Sequence, residues 1–158
     1  MLIPNEAIIE VLEKVVDRYL IPKFNELNMK ASGEWLASLS VEADKNAGVI
    51  KGKDYTQYLV QGRPPNSDQS PEALRAWAVY YGKTVIADWA RAKGVTIDPI
   101  AIAYKIARDG TTWHEKGGSD LLEVLQSAEV KAFIEREMSA YMATQVGLSI
   151  KRIFNNGS

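Results

Sequence analysis

The chain contains no cysteine and only one histidine. The missing thiols exclude disulfides, thiolate zinc sites and cysteine nucleophiles, and they fit a reducing compartment. Neither sign of charge dominates. With 19 Lys+Arg against 20 Asp+Glu the formal net charge is −1, so no overall field draws the protein to nucleic acid or to an anionic membrane. Long apolar runs are also missing, and nothing approaches the roughly 20 residues that a membrane span needs. The first 20 residues carry Glu6, Glu10, Glu13, Lys14, Asp17 and Arg18, which is unlike a signal or transit peptide. Internal repeats and low-complexity tracts are absent. The expected setting is the cytoplasm or an assembled particle, with no membrane.

What is present is an ordinary globular composition, 46% apolar and 25% charged over 158 residues. That length is the size of one domain and can bury a core, so the expectation is a single domain over 1–158 with a frayed tail at 154–158. Ile8, Leu12, Val15, Val16, Tyr19 and Leu20 recur at helical spacing, and Pro22 should end or kink that helix before a second piece reaching about Asn28. Residues 34–43 predict a turn leading into a strand with Trp35, Leu39 and Val41 inside. The turn signal "DKNAG" then makes 39–53 a hairpin. Tyr55–Gln61 favours helical spacing, with Tyr55, Tyr58 and Leu59 as its inner positions.

Ser70-Pro71 and Asp98-Pro99 each read as an N-cap followed by proline in the first helical position. A helical stripe over 71–93 is interrupted at Gly82, so one helix or two is open there; a further helix runs from Pro99 to a stop at Gly110. After a loop at 111–119, a short helical stretch is expected from Asp120, with Ser119 as its cap. The last helix spans about 128–154, with Val130, Phe133, Ile134, Met138, Tyr141, Met142, Val146, Ile150 and Ile153 on one face. The resulting class is α+β: mostly helical, with long N- and C-terminal helices packed on a small antiparallel sheet or hairpin.

Reactive chemistry is sparse. His114 lacks the cysteine or histidine partners of a metal site, so a solvent-exposed or interface histidine is the expectation. The glycines of "KGGSD" at 116–120 lack Walker spacing and read as a flexible loop. Lys45, Lys51, Lys53 and Arg63 surround the hairpin, where a basic patch competes with an edge kept soluble by lysines. The helices over 71–109 outline a helix-turn-helix pair, but the second carries only Lys105 and Arg108 to meet phosphate. A small nucleic-acid-binding regulator using that pair is therefore the alternative function, and an enzyme comes third. No cofactor, metal or catalytic residue is assigned. Aromatic and arginine side chains in loops fit interface anchors.

One stretch, "YTQYLVQGRPP" at 55–65, stops abruptly and reads as an elbow: Gly62 allows the turn and Pro64-Pro65 hold the exit extended. Arg63 is then a stiffly presented cation suited to a carboxylate on a neighbouring subunit.

Five segments in order carry a resemblance to a known family. "ASGEWLASLSVEA" (31–43) resembles the segment after the first helix of phage tail-completion proteins, with Ser32 where threonine is commoner. "GVIKGKDYTQYLVQGRPP" (48–65) is similar to the strand, tyrosine motif and glycine-arginine elbow that follow in that family. "LRAWAVYYGK", "IAYKIARDGT" and the long last helix complete a match from about residue 5 to 154, with 66–127 longer than in compact members. These are head–tail connector or neck proteins of tailed phages, and "GRPP" with "GTTWHEKGG" looks most like ring proteins of crAss-like phages. The resemblance implies a virion structural protein, a subunit of a ring at the head–tail junction, assembled in the host cytoplasm. Its partners would be further copies of itself and portal or other neck and tail proteins, with non-specific proximity to packaged DNA. The interface candidates are Arg63, Pro64, Pro65, Trp113, His114, Lys51 and Lys53.

Overall fold

The computed structural model describes residues 3–155, with side chains described through residue 149. The expected inner positions Ile150 and Ile153, and the tail at 156–158, lie outside the described side chains or residues. The fold is mostly helical with a small two-stranded antiparallel sheet, as the α+β class requires. The chain gathers into two compact units. One comprises 1–23, 39–52 and 122–158; the other comprises 24–38 and 53–121.

In the first unit, helix α1 (Asn5–Val15) buries Ala7, Ile8, Val11 and Val15, an apolar stripe at helical spacing. Lys14 and Glu10 pair on its outer side at 2.9 Å. A π-helical turn at Val16–Leu20 follows, in which the Ile21 N–H bonds the Val16 carbonyl five residues back. Helix α2 (Ile21–Glu26) then continues. Proline removes one N–H and crowds the carbonyl four residues earlier, and a wider turn just upstream accommodates both effects. Pro22 is therefore absorbed into a distorted helix without ending it.

Strands β1 (Ser40–Asp44) and β2 (Ala47–Lys51) pair antiparallel, Val41 opposite Ile50 and Asp44 opposite Ala47. Lys45 and Asn46 both take positive φ (48° and 68°), the geometry a two-residue hairpin loop needs, and the Asn46 side chain accepts a bond from the Ile3 N–H. Gly48 lets the hairpin lie close on α1: a Cβ there would stand 2.3 Å from Leu12 Cδ1. Helix α9 (Ala128–Asn155) packs along α1, and Ser127 Oγ accepts a bond from the Val130 N–H at its start. Val11, Val15, Val130 and Phe133 form the core between the two helices, with Tyr19 edge-on to Phe133 at 5.6 Å.

In the second unit, helix α3 (Glu34–Ser38) buries Trp35, which stacks on Phe24 at 4.7 Å and donates from Nε1 to Thr56 Oγ1 at 2.8 Å. Helix α4 (Thr56–Gln61) leads to the elbow. The 71–93 stripe, left open as one helix or two, is two: α5 (Pro71–Lys83) and α6 (Val85–Lys93), which part at Thr84. Ser70 caps α5 through the Ala73 N–H, and Gly94 closes α6 in the left-handed conformation. Asp98 caps helix α7 (Pro99–Asp109) through the Ile100 N–H, and α7 packs along α5. The approach is close because Gly82 faces the Ile100 backbone, where a Cβ would come within 2.6 Å of Cα. Ala78, Ala103 and Ala107 are the buried side chains of this helix pair.

Two expectations for 111–126 change. The loop contains a short helix α8 (Thr112–Glu115), and the stretch expected from Asp120 is a single 3-10 turn at Glu123–Gln126. Ser119 does not cap it, because its hydroxyl donates to the Leu59 carbonyl at 2.6 Å.

Candidate functional site

The elbow is built from two chain segments bonded side by side. Gly62, at φ 75°, turns the chain out of α4, and Gly110, at φ 84°, turns it out of α7. From there Thr111 bridges the two: its N–H donates to the Arg63 carbonyl at 2.9 Å, and its hydroxyl accepts from the Arg63 N–H at 2.9 Å. The same hydroxyl faces the His114 N–H at 3.4 Å and so caps α8. On one side the Asn66 N–H donates to the Ala107 carbonyl at 2.7 Å. On the other the Ser119 N–H donates to the Val60 carbonyl at 2.6 Å.

Both glycines are required by space as well as by φ. A Cβ on Gly62 would stand 2.1 Å from the His114 N. One on Gly110 would meet the Arg63 carbonyl at 2.8 Å and Pro65 Cδ at 3.2 Å. Such distances are far inside van der Waals contact, so these positions admit glycine alone without movement of the backbone.

Arg63, Pro65, Trp113 and His114, far apart in sequence, are thus brought together around Gly62 and Gly110. The Arg63 side chain lies across the Trp77 ring at 4.6 Å and the Tyr58 ring at 5.8 Å, and it donates from Nη2 to Asn66 Oδ1 at 3.0 Å. Its Nε is buried without a hydrogen-bond partner. This is the environment of a cation packed into its own fold, in contrast to the free cation expected from the elbow's stiffness. Tyr55 and Tyr58, expected to anchor the elbow from inside, are 37% and 42% exposed. The anchor is the buried Gly62 backbone.

Pro64 and His114 face outward. Trp113 is half-buried beneath the Lys116 ammonium, 5.6 Å from its ring. Lys53 pairs with Glu34 at 2.9 Å, and the carboxylate holds the ammonium above its ordinary range. Lys51 belongs to the other unit, where it pairs with Glu42 across the hairpin. Lys51 and Lys53 are thus each paired with a glutamate, and Arg63 is packed on aromatic rings. On α7 the Arg108 guanidinium is held by both oxygens of Asp109 at 2.7 Å, which lowers the Asp109 carboxyl from its usual value. Only Lys105 remains on that helix to meet a phosphate.

No group of three or more His, Cys, Asp or Glu able to hold a metal occurs among the described residues, and none of their helices is long and apolar enough to cross a membrane. The arrangement can present shape, aromatic faces and a histidine. Sequence reading found the elbow and its glycine. It missed Thr111 and Ser119, whose hydroxyls do the bridging, because a bond 48 or 60 residues away leaves no local signal.

Comparison of the chain with protein-family models, with curated proteins and with solved structures found no match.

Proposed function

We propose that the protein acts by assembly, as the subunit of an oligomeric ring at a phage head–tail junction, with the elbow as a preformed contact surface. The observation that carries the assembly part is the use made of the elbow's polar groups. Thr111, Ser119 and the backbone groups around them are spent on holding the 60–66 and 107–119 segments together. A surface so preorganised loses little conformational entropy on binding. Its outward side chains, Pro64, His114 and the Trp113–Lys116 stack, suit contact more than catalysis. The phage setting rests on the order of the sequence segments described above. Heterologous contacts between identical neighbours would close the ring around a channel.

The test is light scattering and negative-stain imaging of the purified protein at high concentration, alone and with portal protein. Rings, or a complex with portal, are expected, and His114→Asp should weaken them while leaving the circular dichroism spectrum unchanged. A strict monomer that binds no virion component would sink the proposal. Arg63→Ala serves as the contrasting variant. Because its guanidinium packs on Trp77 inside the unit, the loss should be about 1–2 kcal/mol of folding stability, with assembly of the folded fraction intact.

A further inference from the structure

Between α5 and α7 lies an open groove floored by alanine and lined by Arg75, Val79, Ala101 and Tyr104, with Asp98 beside it. The two helices run antiparallel. Gly82 near the end of α5 meets Ile100 at the start of α7, while the end of α7 leads to the Arg63 segment that covers Trp77 in mid-α5. Arg75 stands seven residues before Gly82, roughly 10 Å along the axis at the helical rise. Asp98 stands at the Ile100 end. A mostly apolar groove thus has a cation at one end and an anion at the other.

Neither charge has an ion-pair partner among the described residues. Arg75 is exposed and has no hydrogen bond or ion pair among the described residues. Asp98 uses Oδ1 to cap α7, and its other oxygen is unbonded among the described residues. The apolar surface is unsatisfied as well: Val79 is 42% exposed, and Ile97, next to Asp98, is 64% exposed.

We infer that the groove is a self-association site whose occupant is a second copy of this chain, related by a two-fold axis, with Arg75 of each copy facing Asp98 of the other. A two-fold axis reverses the direction of the groove, so positive meets negative twice and apolar meets apolar between them. Stacking two grooves in the same direction would instead set like charges together. Val79, one turn after Arg75, falls midway between the two charges and therefore beside the axis. This contact closes at two copies. It is independent of the ring proposed above and stands or falls separately from it.

The absence of cysteine makes the geometry directly testable. A single Val79→Cys substitution should give a covalent dimer with a short thiol-to-thiol cross-linker, since an axial residue meets its own copy. Asp68→Cys, in the exposed loop before α5, should not. Sedimentation equilibrium should find a wild-type dimer that weakens with salt and is weakened about tenfold or more by Arg75→Glu. Circular dichroism should confirm that this exposed substitution leaves the fold intact, and Asp98→Asn, which keeps the cap acceptor, should weaken the dimer in the same direction. A wild-type monomer would overturn the inference and leave the groove to a helix of some other protein. So would a dimer or larger oligomer that ignores Arg75→Glu or fails to cross-link at position 79. If rings form with portal while that cross-link fails, the groove inference alone is lost.

Discussion

In the unit built from α1, the hairpin and α9, the fully buried side chains include Val15, Leu20, Val130 and Phe133. In the unit that holds α4 to α8, Ala78, Ala90, Ala103 and Ala107 make up most of the buried set, joined by Phe24, Trp35 and Leu121. The first unit is stabilised by apolar area removed from water, in proportion to side-chain size. The second brings backbone against backbone, at Gly82 on Ile100 and at Gly62 on His114, with few large side chains between. The contrast has a direct consequence for substitution. Removing atoms should hurt the first unit and adding atoms should hurt the second. It also bears on function, because close-packed backbone holds a surface such as the elbow in one shape.

The largest effect is expected in the first unit. Phe133 is 2% exposed, packs edge-on to Tyr19 and lies beneath the Arg18 guanidinium at 5.1 Å. Phe133→Ala should cost about 3–5 kcal/mol by urea unfolding, the usual range for a large core aromatic. A cost below about 1 kcal/mol would mean that α1 and α9 are held by something other than this core, and the contrast between the units would collapse.

The next effect belongs to the second unit and runs the other way. Gly62→Ala adds one methyl group at φ 75° and directs it at the His114 backbone. A destabilisation of about 2–4 kcal/mol is expected from overpacking plus left-handed strain. Gly94→Ala is the internal control, since its φ of 66° is similar but nothing lies within 4 Å of the added Cβ. It should cost only about 1 kcal/mol, the conformational part. Hydrogen exchange should separate the two further: the Ser119 amide, bonded to Val60, loses protection in Gly62→Ala and keeps it in Gly94→Ala. Equal losses in both variants would show that close approach contributes nothing.

The same contrast explains what the sequence disclosed. Elements governed by local rules were legible: the Ser70-Pro71 and Asp98-Pro99 helix starts, the "DKNAG" hairpin and the last helix reappear in the structure, but of that helix's expected inner face Val130 and Phe133 are buried while Val146 is 47% exposed. Each depends on residues within one turn of one another. The elbow was legible only in half. Gly62 announced a turn, but its partner at 110–114 lies about fifty residues on and is chosen by space, which has no periodicity to read. The direction of Arg63 was unreadable for the same reason, because it depends on where Trp77 stands. Tyr55 and Tyr58 were misplaced because helical spacing tells which residues share a face without telling which face is covered.

The smallest effect tests whether the first unit owes anything to charge. Lys14 bridges Glu10 at 2.9 Å and Glu137 at 3.1 Å, tying α1 to α9 beside the apolar core. Hydrogen bonds that Lys14 donates to Glu10 and then to Glu137 raise the ammonium above its ordinary 10.5, and the bond accepted from Lys14 lowers the Glu137 carboxyl below 4.5. The signs follow from linkage. A depressed carboxyl contributes stability above its unfolded value and loses it as pH falls through the folded one. A raised ammonium contributes below its unfolded value and loses it as pH rises through the folded one. The bridge should therefore act across the neutral range and fade at both ends. Glu10 is well exposed and Lys14 and Glu137 are partly so, and pairs in such positions are weak and screened by salt. Glu137→Gln should accordingly lower the urea midpoint slightly at neutral pH and low salt, and the difference from wild type should vanish below the folded Glu137 value. A difference that persisted unchanged in acid would mean that Glu137 acts through packing, leaving the first unit held by apolar contact alone.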